Sequence, residues 1–375
     1  MKIFIYYGSA GHGHQKVAEV IAQAFVTRGI KPEEIRNQDA LQKTSPFFRW
    51  SYPAIYFWAV RDLPKVWGWF YETFDKPQVY SIVRPLRRLL NQIEGQKMLA
   101  EVLKEQPDFI ICTHFLPAEI FAAAKRQGKI RATVMTVITD FFPHAFWVNE
   151  GTDYYWGMSD ETKDNLKKRG VPEDRIIAGG IPADPVFKPS GRKHEILSKW
   201  GFLEERFTLV LTSGSFGLAP HGEILKSLAE FSDRIQCFVV CGRNQALQKQ
   251  LEAEAFGFPV KVFGFIDFMP ELMEAGDLLI AKSGGATTVE SLVKEIPMVV
   301  FQPIPGQEMR NAALLKNYAA SFFMEKPEQI KIILQTIFKN PKIIEDKRKA
   351  MRLLAKPNAV DDLVSFVLKS ARKVD

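Results

Sequence analysis

The residues best suited to chemistry lie in one stretch, KSGGATTVESLVKEIPMVVFQPIPGQEMRN, which runs from Lys282 to Asn311. Its Ser283-Gly284-Gly285 turn allows the backbone to approach a ligand closely, because glycine carries no Cβ. A helix is predicted to begin directly after this turn, and a helix start presents unpaired N–H groups and partial positive charge. These features together are typical of a site for a phosphate group.

Two further parts of this stretch suit the rest of a nucleotide sugar. Glu290 lies about one turn into the predicted helix, within reach of a ribose diol beside the phosphate. After a short apolar strand, a Pro-Ile-Pro-Gly loop delivers Gln307 and Glu308, whose adjacent polar side chains suit the hydroxyls of a sugar. The pattern therefore predicts a nucleotide-sugar site, whereas a Gly-Gly pair before a helix is by itself usually only a tight turn.

A second candidate set follows the first predicted strand, in the Gly-Ser-Ala-Gly-His-Gly-His turn of residues 8–14. His14 stands where the strand leads into a helix, and open α/β sheets bind ligands at this carboxyl end. An imidazole, whose pKa is near neutrality, can take a proton from an attacking hydroxyl. His14 is therefore a candidate general base. A dinucleotide-binding turn is the alternative, but the Gly-x-Gly-x-x-Gly spacing is absent.

Residues 139–147, Thr-Asp-Phe-Phe-Pro-His-Ala-Phe-Trp, follow another predicted strand. Asp140 should also lie at the carboxyl end of a sheet, where it could orient His14, bind an acceptor hydroxyl or act as the base itself. His144 is a further candidate in this segment. The alternative is a strand-end turn in which the aspartate only caps a helix.

Two turns in the second half are less distinctive. The Gly-rich turn that contains Ser213, Gly214 and Ser215 could hold a diphosphate through backbone N–H groups, or it could be an ordinary turn between a strand and a helix. The segment around Gly264 and Phe265 is predicted as a strand and a turn, and its spacing alone assigns it no role.

Residues 43–104 have an unusual composition, with twelve aromatic residues between positions 47 and 74 and ten Lys or Arg against five Asp or Glu. Trp and Tyr favour the membrane–water interface, and basic residues favour anionic lipid. Single-stranded nucleic acid and a helical hairpin buried in the core are the alternatives. We favour contact with a membrane or a lipid. The residues on which this prediction rests are Trp58, Trp67, Trp69, Arg84, Arg87 and Arg88.

The elements that position these residues indicate an α/β protein with mainly parallel sheets, since short apolar runs alternate with amphipathic helical stretches. At 375 residues the chain is long for one core, and two domains are expected, joined by the proline-rich segment 182–192. Strands are predicted at residues 3–7, 109–113, 133–138, 176–178, 207–212, 237–241, 261–263, 278–281, 298–300 and 321–323.

Composition excludes several classes of protein. No window approaches 18 consecutive apolar residues, so no membrane span is expected, and the N-terminal apolar run is too short for a signal peptide. The net charge of +7 is compatible with anionic lipid or nucleic acid and does not choose between them. No Asp-x-Asp pair occurs, which favours a diphosphate held by N–H groups over one held by a metal ion.

The combination of motifs in residues 282–311, with Gly13-His14 and Thr139-Asp140, resembles the glycosyltransferase family that includes monogalactosyldiacylglycerol synthase and the processive diacylglycerol glucosyltransferases. This resemblance implies an α/β GT-B fold, two Rossmann-like domains that face each other across a cleft. It implies an acceptor- and membrane-facing domain at 1–185 and a UDP-sugar donor domain at 193–345. The segment 346–375 would form a C-terminal helix that crosses back to the first domain.

The resemblance further implies an inverting transfer of a hexose from a UDP-sugar to diacylglycerol or a related lipid. His14 or Asp140 would be the base, and no cofactor or metal ion would be required. The partners would be a UDP-hexose, the lipid and an anionic membrane surface, without nucleic acid, for a cytoplasmic protein on the inner face of the cell membrane. The donor residues would be Ser213, Gly214, Ser215, Gly264, Phe265, Ser283, Gly284, Gly285, Ala286, Thr287, Glu290, Gln307 and Glu308. The acceptor and membrane residues would be His144, Trp58, Trp67, Trp69, Arg84, Arg87 and Arg88.

Two features depart from the family pattern and leave alternatives open. The turn reads Ser-Gly-Gly-Ala where a proline-containing turn is more usual, and the Gly-His pair is doubled. One alternative is a UDP-N-acetylglucosamine-dependent transferase that acts on a lipid-linked precursor. The other is a UDP-sugar epimerase of the same fold, which would need no lipid. The sequence does not distinguish glucose from galactose or from N-acetylglucosamine.

Overall fold

The computed structural model describes residues 1–9, 11–212, 214 and 219–371. Within these ranges the chain forms two compact α/β units. The first unit contains residues 1–184, residues 304–310 and the segment that begins at Asn358. The second contains residues 185–303 and 311–357.

The first unit is built on a six-stranded parallel sheet whose inner strands are apolar and buried on both faces, as parallel sheets covered by helices require. Its strands are β1 (Ile3–Tyr7), β2 (Ile35–Asp39), β3 (Phe109–Cys112), β4 (Thr133–Val137), β5 (Tyr154–Gly157) and β6 (Ile176–Ala178). They are arranged in the order β2-β1-β3-β4-β5-β6.

Eight helices of the described residues belong to this first unit. They are α1 (His12–Thr27), α2 (Pro46–Asp62), α3 (Pro64–Asp75), α4 (Pro77–Glu94), α5 (Gln96–Glu105), α6 (Phe115–Arg126), α7 (Asp160–Lys168) and the C-terminal α16 (Ala359–Ala371). Helices α5 and α6 cover one side of the core through Met98, Val102 and Phe121, which are all buried.

The second unit repeats the architecture. Its strands are β7 (Phe207–Thr212), β8 (Ile235–Val240), β9 (Val260–Phe263), β10 (Leu278–Ala281), β11 (Met298–Phe301) and β12 (Ser321–Met324). They are all parallel and are arranged in the order β12-β11-β10-β7-β8-β9. Its helices are α8 (Lys193–Lys199), α9 (His221–Ser227), α10 (Gln245–Glu252), α11 (Met269–Ala275), α12 (Gly285–Lys294), α14 (Ile330–Lys339) and α15 (Lys342–Leu354), while α13 (Gln307–Asn317) begins in the first unit and continues in this one.

The predicted α/β class with parallel sheets is confirmed, and every predicted strand is present. Two strands were not predicted. Strand β2, Ile-Arg-Asn-Gln-Asp, lies at the edge of its sheet and is half-buried throughout, so it carries no apolar run. Strand β5 has only four residues, Tyr-Tyr-Trp-Gly, too few to show a period.

The C-terminal segment forms two helices, α15 and α16. Helix α15 belongs to the second unit, and α16 belongs to the first. On α16, the ring of Phe366 lies 5.0 Å from that of Tyr154, and Asp361 accepts a hydrogen bond from Arg28, the C-cap of α1, at 3.1 Å. The last described helix therefore closes the first unit.

The proline-rich segment is held to the second unit by a buried ion pair. Lys294 of α12 is buried, and its Nζ lies 2.6 Å from Glu274 Oε2 on α11. The same ammonium donates to the carbonyl of Lys188 at 3.0 Å. Glu274 in turn accepts N–H bonds from Ser190 and Gly191, at 3.0 and 2.8 Å.

Lys294→Ala is expected to lower the free energy of unfolding by about 3 kcal/mol, because the Glu274 carboxylate would stay buried without its partner. Urea denaturation would measure this loss. Lys349→Ala is the matched control, since Lys349 pairs with Asp346 at 3.8 Å with a largely exposed side chain. The control should change the free energy by less than about 0.5 kcal/mol, and equal losses in the two variants would contradict the prediction.

Candidate functional site

The polar residues predicted for catalysis lie where three neighbouring strands of the first sheet end. Strand β1 is the element that precedes α1, and α1 carries His14 in its first turn. Strand β3 is followed by Thr113 and His114, and β4 by Thr139 and Asp140. Because β3 pairs in parallel with both β1 and β4, these three strand ends meet at one edge of the sheet.

The hydrogen bonds of His14 determine which ring nitrogen is basic. Its Nδ1 lies 2.8 Å from the carbonyl oxygen of Thr113 and 2.8 Å from Thr139 Oγ1. A carbonyl oxygen can only accept, so Nδ1 carries the proton and Nε2 is the basic nitrogen. The Thr113 hydroxyl also donates to the carbonyl oxygen of His14 at 2.9 Å, which ties the first turn of α1 to the end of β3.

Burial sets the charge of this cluster. It lowers the pKa of the half-buried His14, while the nearby Asp140 carboxylate and the Thr113 carbonyl act in the opposite direction. Burial raises the pKa of Asp140, and the imidazole of His14 and the Trp147 indole N–H, 3.0 Å from Oδ2, oppose that rise. Asp140 is only 6% exposed, so the accessible base in this cluster is a neutral imidazole at pH 7.

His114 is a member of this cluster that the sequence analysis missed. Its ring is buried and lies edge-on to that of His14, with the centroids 4.8 Å apart. Its Nδ1 accepts the N–H of Leu116 at 3.2 Å and so caps α6, and burial holds its pKa well below the ordinary value. A Cβ on Gly8 would come within 2.8 Å of this ring. The Thr-His pair after β3 mirrors the Thr-Asp pair after β4, and this parallel was a usable signal.

The ring of His144 makes its hydrogen bonds to residues outside this cluster. Its Nδ1 accepts the N–H of Phe146 at 3.2 Å, so its Nε2 donates to the carbonyl oxygen of Tyr71 at 2.9 Å. Its ring is buried, and burial lowers its pKa to about 4. Because both ring nitrogens are engaged inside the protein, His144 holds α3 against this loop. Its contact with the acceptor stays a prediction.

The predicted phosphate turn lies at the carboxyl edge of the second sheet. Strand β10 ends at Ala281, and α12 begins at Gly285 with Gly284 as its N-cap. Gly284 has no side chain that could cap the first N–H groups of the helix. Asn311 on α13 donates to the carbonyl oxygen of the buried Ser283 at 2.9 Å and so fixes the turn.

The other predicted donor residues are divided between the two units. Ala286, Thr287 and Glu290 are half-buried on the first two turns of α12. Gly214 has φ +74° in the turn after β7, which neighbours β10, while Ser213 and Ser215 lie outside the described residues. The ring of Phe265, next to Gly264, follows β9 and stacks under the Arg243 guanidinium at 5.4 Å.

Gln307 and Glu308 begin α13 and belong to the same unit as His14 and Asp140. Oε2 of Glu308 accepts the N–H of Ile304 at 2.7 Å, which closes the loop before the helix, and the side chain is nearly buried. The sequence indicated the rigid loop but not that it belongs to the first unit.

Helices α2, α3 and α4 expose a large set of apolar side chains. Trp58 is 54% exposed and Trp69 is 62% exposed, whereas Trp67 is half-buried against the rings of Tyr56 and Tyr71. Exposed apolar side chains in this number are unusual on a surface that meets no partner. The exposed apolar residues of these helices are Phe47, Trp50, Ile55, Trp58, Val66, Trp69, Phe70, Ile82, Leu86, Leu89, Leu90 and Ile93.

Two arginines of α4, Arg87 and Arg88, point away from these exposed apolar side chains and toward the inside of the unit. Arg87 donates to Oε1 of the buried Glu119 at 3.0 Å and lies 4.3 Å from the ring centroid of Phe146, and Arg88 Nε is 3.7 Å from the same carboxylate oxygen. Arg87 and Arg88 therefore neutralise Glu119 inside the unit, and their role at the acceptor or the membrane stays a prediction. Arg84 lies further out and pairs with Glu150 at 2.6 Å.

Two features of the described part of the chain bear on membranes and metals. None of its helices combines the length and the apolar character that a membrane span needs. No three His, Cys, Asp or Glu side chains among the same residues are grouped so that they could hold a metal ion.

Two family models match this chain, one in each of its halves. The model of the monogalactosyldiacylglycerol (MGDG) synthase family matches residues 14–183, and that of the glycosyltransferase family 28 C-terminal domain matches residues 208–363. A processive diacylglycerol beta-glucosyltransferase of Bacillus cereus (strain ZK / E33L) is 26% identical over 98% of this chain and 93% of its own length. The Staphylococcus epidermidis enzyme of the same name is 27% identical over 92% of this chain and 86% of its own length.

Solved structures share the fold at low sequence identity. Acinetobacter baumannii MurG matches with a TM-score of 0.65 at 14% identity, covering 98% of this chain and all of its own. Anabaena Alr3699/HepE in complex with UDP-glucose matches with a TM-score of 0.59 at 13% identity, covering 99% of this chain and all of its own. The GT-B fold class is thereby confirmed. A UDP-GlcNAc 2-epimerase from Neisseria meningitidis also shares the fold, with a TM-score of 0.60 at 13% identity and coverage of 98% and 100%, so the fold alone does not choose the reaction.

Proposed function

The chain belongs to the family of monogalactosyldiacylglycerol synthases and processive diacylglycerol glucosyltransferases, and on this premise we propose that it transfers a hexose from a UDP-sugar to a lipid hydroxyl. The acceptor is diacylglycerol or a related lipid at a membrane surface. The observation that carries the proposal is the setting of His14, a neutral imidazole with a defined tautomer at the carboxyl edge of the first sheet. An epimerase would not need a base prepared for an acceptor hydroxyl together with an exposed apolar surface.

In the proposed reaction His14 is the general base. Its Nε2 takes the proton of the acceptor hydroxyl while the oxygen of that hydroxyl forms a bond to C1 of the sugar. The bond between C1 and the UDP oxygen breaks at the same time, UDP departs as the anion, and the configuration at C1 is inverted. Asp140 does not take the proton in this scheme. Its buried carboxylate stabilises the imidazolium that forms on His14.

The second unit holds the donor in this proposal. The N–H groups at the start of α12 receive the diphosphate, and a single preorganised donor of this kind contributes about 3 kcal/mol to the transition state. Glu290 binds the ribose, and the backbone near Gly264 and Phe265 holds the nucleobase. With N–H groups meeting the charge of the leaving UDP, we propose that the reaction requires no metal ion and no cofactor.

We further propose that α2, α3 and α4 lie against the membrane surface, on the inner face of the cell membrane. Helix α4 supports this orientation because its arginines face Glu119 while Ile82, Leu86 and Leu90 are 78%, 63% and 50% exposed. Trp rings favour the interface between lipid and water, and apolar side chains enter the boundary of the acyl chains. The partners are then the UDP-hexose, the lipid acceptor and an anionic membrane surface, and nucleic acid is not one of them.

A radiolabelled transfer assay tests the reaction. UDP-glucose, UDP-galactose and UDP-N-acetylglucosamine would be offered separately with diacylglycerol in anionic micelles, and the lipid products would be resolved. A labelled glycolipid with inverted configuration is the expected result, and the productive donor identifies the sugar.

The same assay separates the alternatives. Release of UDP without labelled lipid would retain the donor site and exclude diacylglycerol as the acceptor, which points to a lipid-linked precursor. If UDP-N-acetylglucosamine is converted in the absence of any lipid, the protein is an epimerase and the proposed transferase activity is wrong.

A further inference from the structure

Arg310 connects the segment of residues 304–310 to α3. Arg310 Nε and Nη2 donate to the two carboxylate oxygens of Glu72, at 3.0 and 2.7 Å. Its Nη1 lies 2.8 Å from Asp75 Oδ2, and its guanidinium carbon lies 5.1 Å from the ring centroid of Tyr71. The planar guanidinium fits two carboxylates and an aromatic ring at once, an arrangement that a lysine ammonium cannot reproduce.

Helix α3 and this segment also pack closely against each other at two glycines. A Cβ on Gly68 would come within 2.5 Å of Pro305 Cβ. Gly306 has φ +98°, and a Cβ there would come within 2.8 Å of the Tyr71 ring. The Pro305 side chain therefore packs directly on Gly68 and the Tyr71 ring directly on Gly306, and Arg310 closes the end of that contact.

Asp75 connects the same contact to the loop that carries Asp140. Its Oδ1 accepts the N–H of Ala145 at 2.7 Å, and its Oδ2 accepts a hydrogen bond from Arg169 at 2.9 Å as well as the contact from Arg310. One largely buried carboxylate thus holds the loop after β4, the end of α7 and residues 304–310 in place. Arg310 also adds positive charge near Asp140.

We infer that Arg310 is a positioning residue for the donor sugar. It fixes the first turn of α13 on α3, so that Gln307 and Glu308 present their polar groups in one geometry relative to the cluster of His14 and Asp140. This inference rests on the proposed function, in which Gln307 and Glu308 bind the sugar hydroxyls. Helix α3 is itself exposed to the outside through Trp69 and Phe70, so the position of the sugar loop is set by a helix of the apolar surface.

Arg310→Met removes the charge and the hydrogen bonds but retains an unbranched side chain. The variant is expected to fold, because Asp75 retains Arg169 and the Ala145 N–H, and Glu72 is largely exposed. We expect kcat/KM for the UDP-hexose to fall by about 10- to 100-fold, the effect of a displacement of about 1 Å at a reacting centre. The affinity for UDP itself should stay within about twofold, since the proposed ligands of the nucleotide lie in the second unit.

Three companion variants sharpen the test. Arg310→Lys should recover part of the lost kcat/KM, because lysine restores the positive charge but not the planar pair of N–H donors that meets the Glu72 carboxylate. Glu72→Gln combined with Arg310→Met should be no worse than Arg310→Met alone, since both act on one contact. Arg352→Met is the matched control: Arg352 also bridges two carboxylates, those of Glu295 and Glu345, but on α15 in the second unit, and its loss should leave kcat/KM unchanged.

A direct binding measurement keeps this inference separate from the proposed reaction. Calorimetry would compare the affinities for UDP and for the tightest-binding UDP-hexose in the wild type and in Arg310→Met. The ratio of the affinity for the UDP-hexose to the affinity for UDP should be at least about fivefold smaller in Arg310→Met than in the wild type. An unchanged ratio, or an equal loss for UDP and UDP-hexose, would overturn the inference. If the wild type transfers no sugar to diacylglycerol, the proposed acceptor fails, yet this comparison still decides the role of Arg310.

Discussion

Replacing His14 by alanine is expected to lower kcat for sugar transfer by about 10²- to 10⁴-fold, the range for loss of a general base. The affinity for UDP should remain within about twofold, because the residue lies on α1 of the first unit and the proposed nucleotide ligands lie in the second. Initial rates with micellar diacylglycerol and calorimetry with UDP measure the two quantities.

The matched control is His194→Ala. His194 is a strongly exposed histidine on α8 that pairs with Glu204 at 2.9 Å, so its loss should leave both quantities unchanged. Loss of UDP affinity with normal turnover in His14→Ala would assign His14 to the donor instead. If kcat and the affinity for UDP are both normal in His14→Ala, then His14 is not part of the site.

The pH dependence follows from the same cluster. A base must be unprotonated, so kcat/KM should rise with pH through the pKa of His14, which burial holds below 6.5, and then stay level near neutrality. The Asp140 carboxylate acts in the opposite direction and raises this pKa. Asp140→Asn should therefore move the rising limb to lower pH, while its side-chain oxygen can still accept the Trp147 indole N–H. If the rising limb of the pH profile stays at the same pH in Asp140→Asn, then Asp140 does not raise the pKa of His14 as proposed.

The second large effect is expected for the exposed tryptophans. Replacing Trp50, Trp58 and Trp69 together by serine should weaken binding to anionic vesicles at least tenfold, which corresponds to about 1.4 kcal/mol. Three aromatic side chains that leave the lipid interface can account for more than this amount. Trp67 is not included because it is packed between Tyr56 and Tyr71, so its loss would disturb the unit itself.

Vesicle sedimentation measures this binding, and UDP-sugar turnover without vesicles checks that the donor site is intact. The control replaces three exposed apolar residues of the second unit, Leu203, Ile332 and Leu353, by serine. If both triple variants bind vesicles equally well, the assignment of α2 to α4 to the membrane surface is wrong. Binding of the wild type to single-stranded oligonucleotides instead of vesicles would favour the nucleic-acid alternative.

Much of the fold was predictable because parallel strands are buried on both faces. Such strands are continuous apolar runs, as in Phe-Ile-Ile-Cys of β3 and Leu-Leu-Ile-Ala of β10, and each is bounded by polar or glycine-rich turns. The edge strand β2 was missed because an edge strand is only partly buried. It can therefore contain Arg, Asn and Gln in place of a continuous apolar run.

Part of the site was predictable by the same rule. His14 and Asp140 follow strands, and the carboxyl ends of parallel strands converge, so their proximity followed from their places in the chain. The tautomer of His14 did not, because it depends on the carbonyl of Thr113, 99 residues away. His114 and Arg310 were also missed, since their partners come from other elements.

Helix α4 illustrates what the sequence by itself determined and what it left to the tertiary structure. Its pattern establishes an amphipathic helix with arginines on one side and leucines and isoleucines on the other. A soluble protein would ordinarily bury the apolar side. Here the buried carboxylate of Glu119 on α6 pairs with Arg87 and Arg88, so the polar side faces inward and the apolar side faces outward. Periodicity specifies that a helix has two faces, but the partner that each face meets is decided only when distant segments pack.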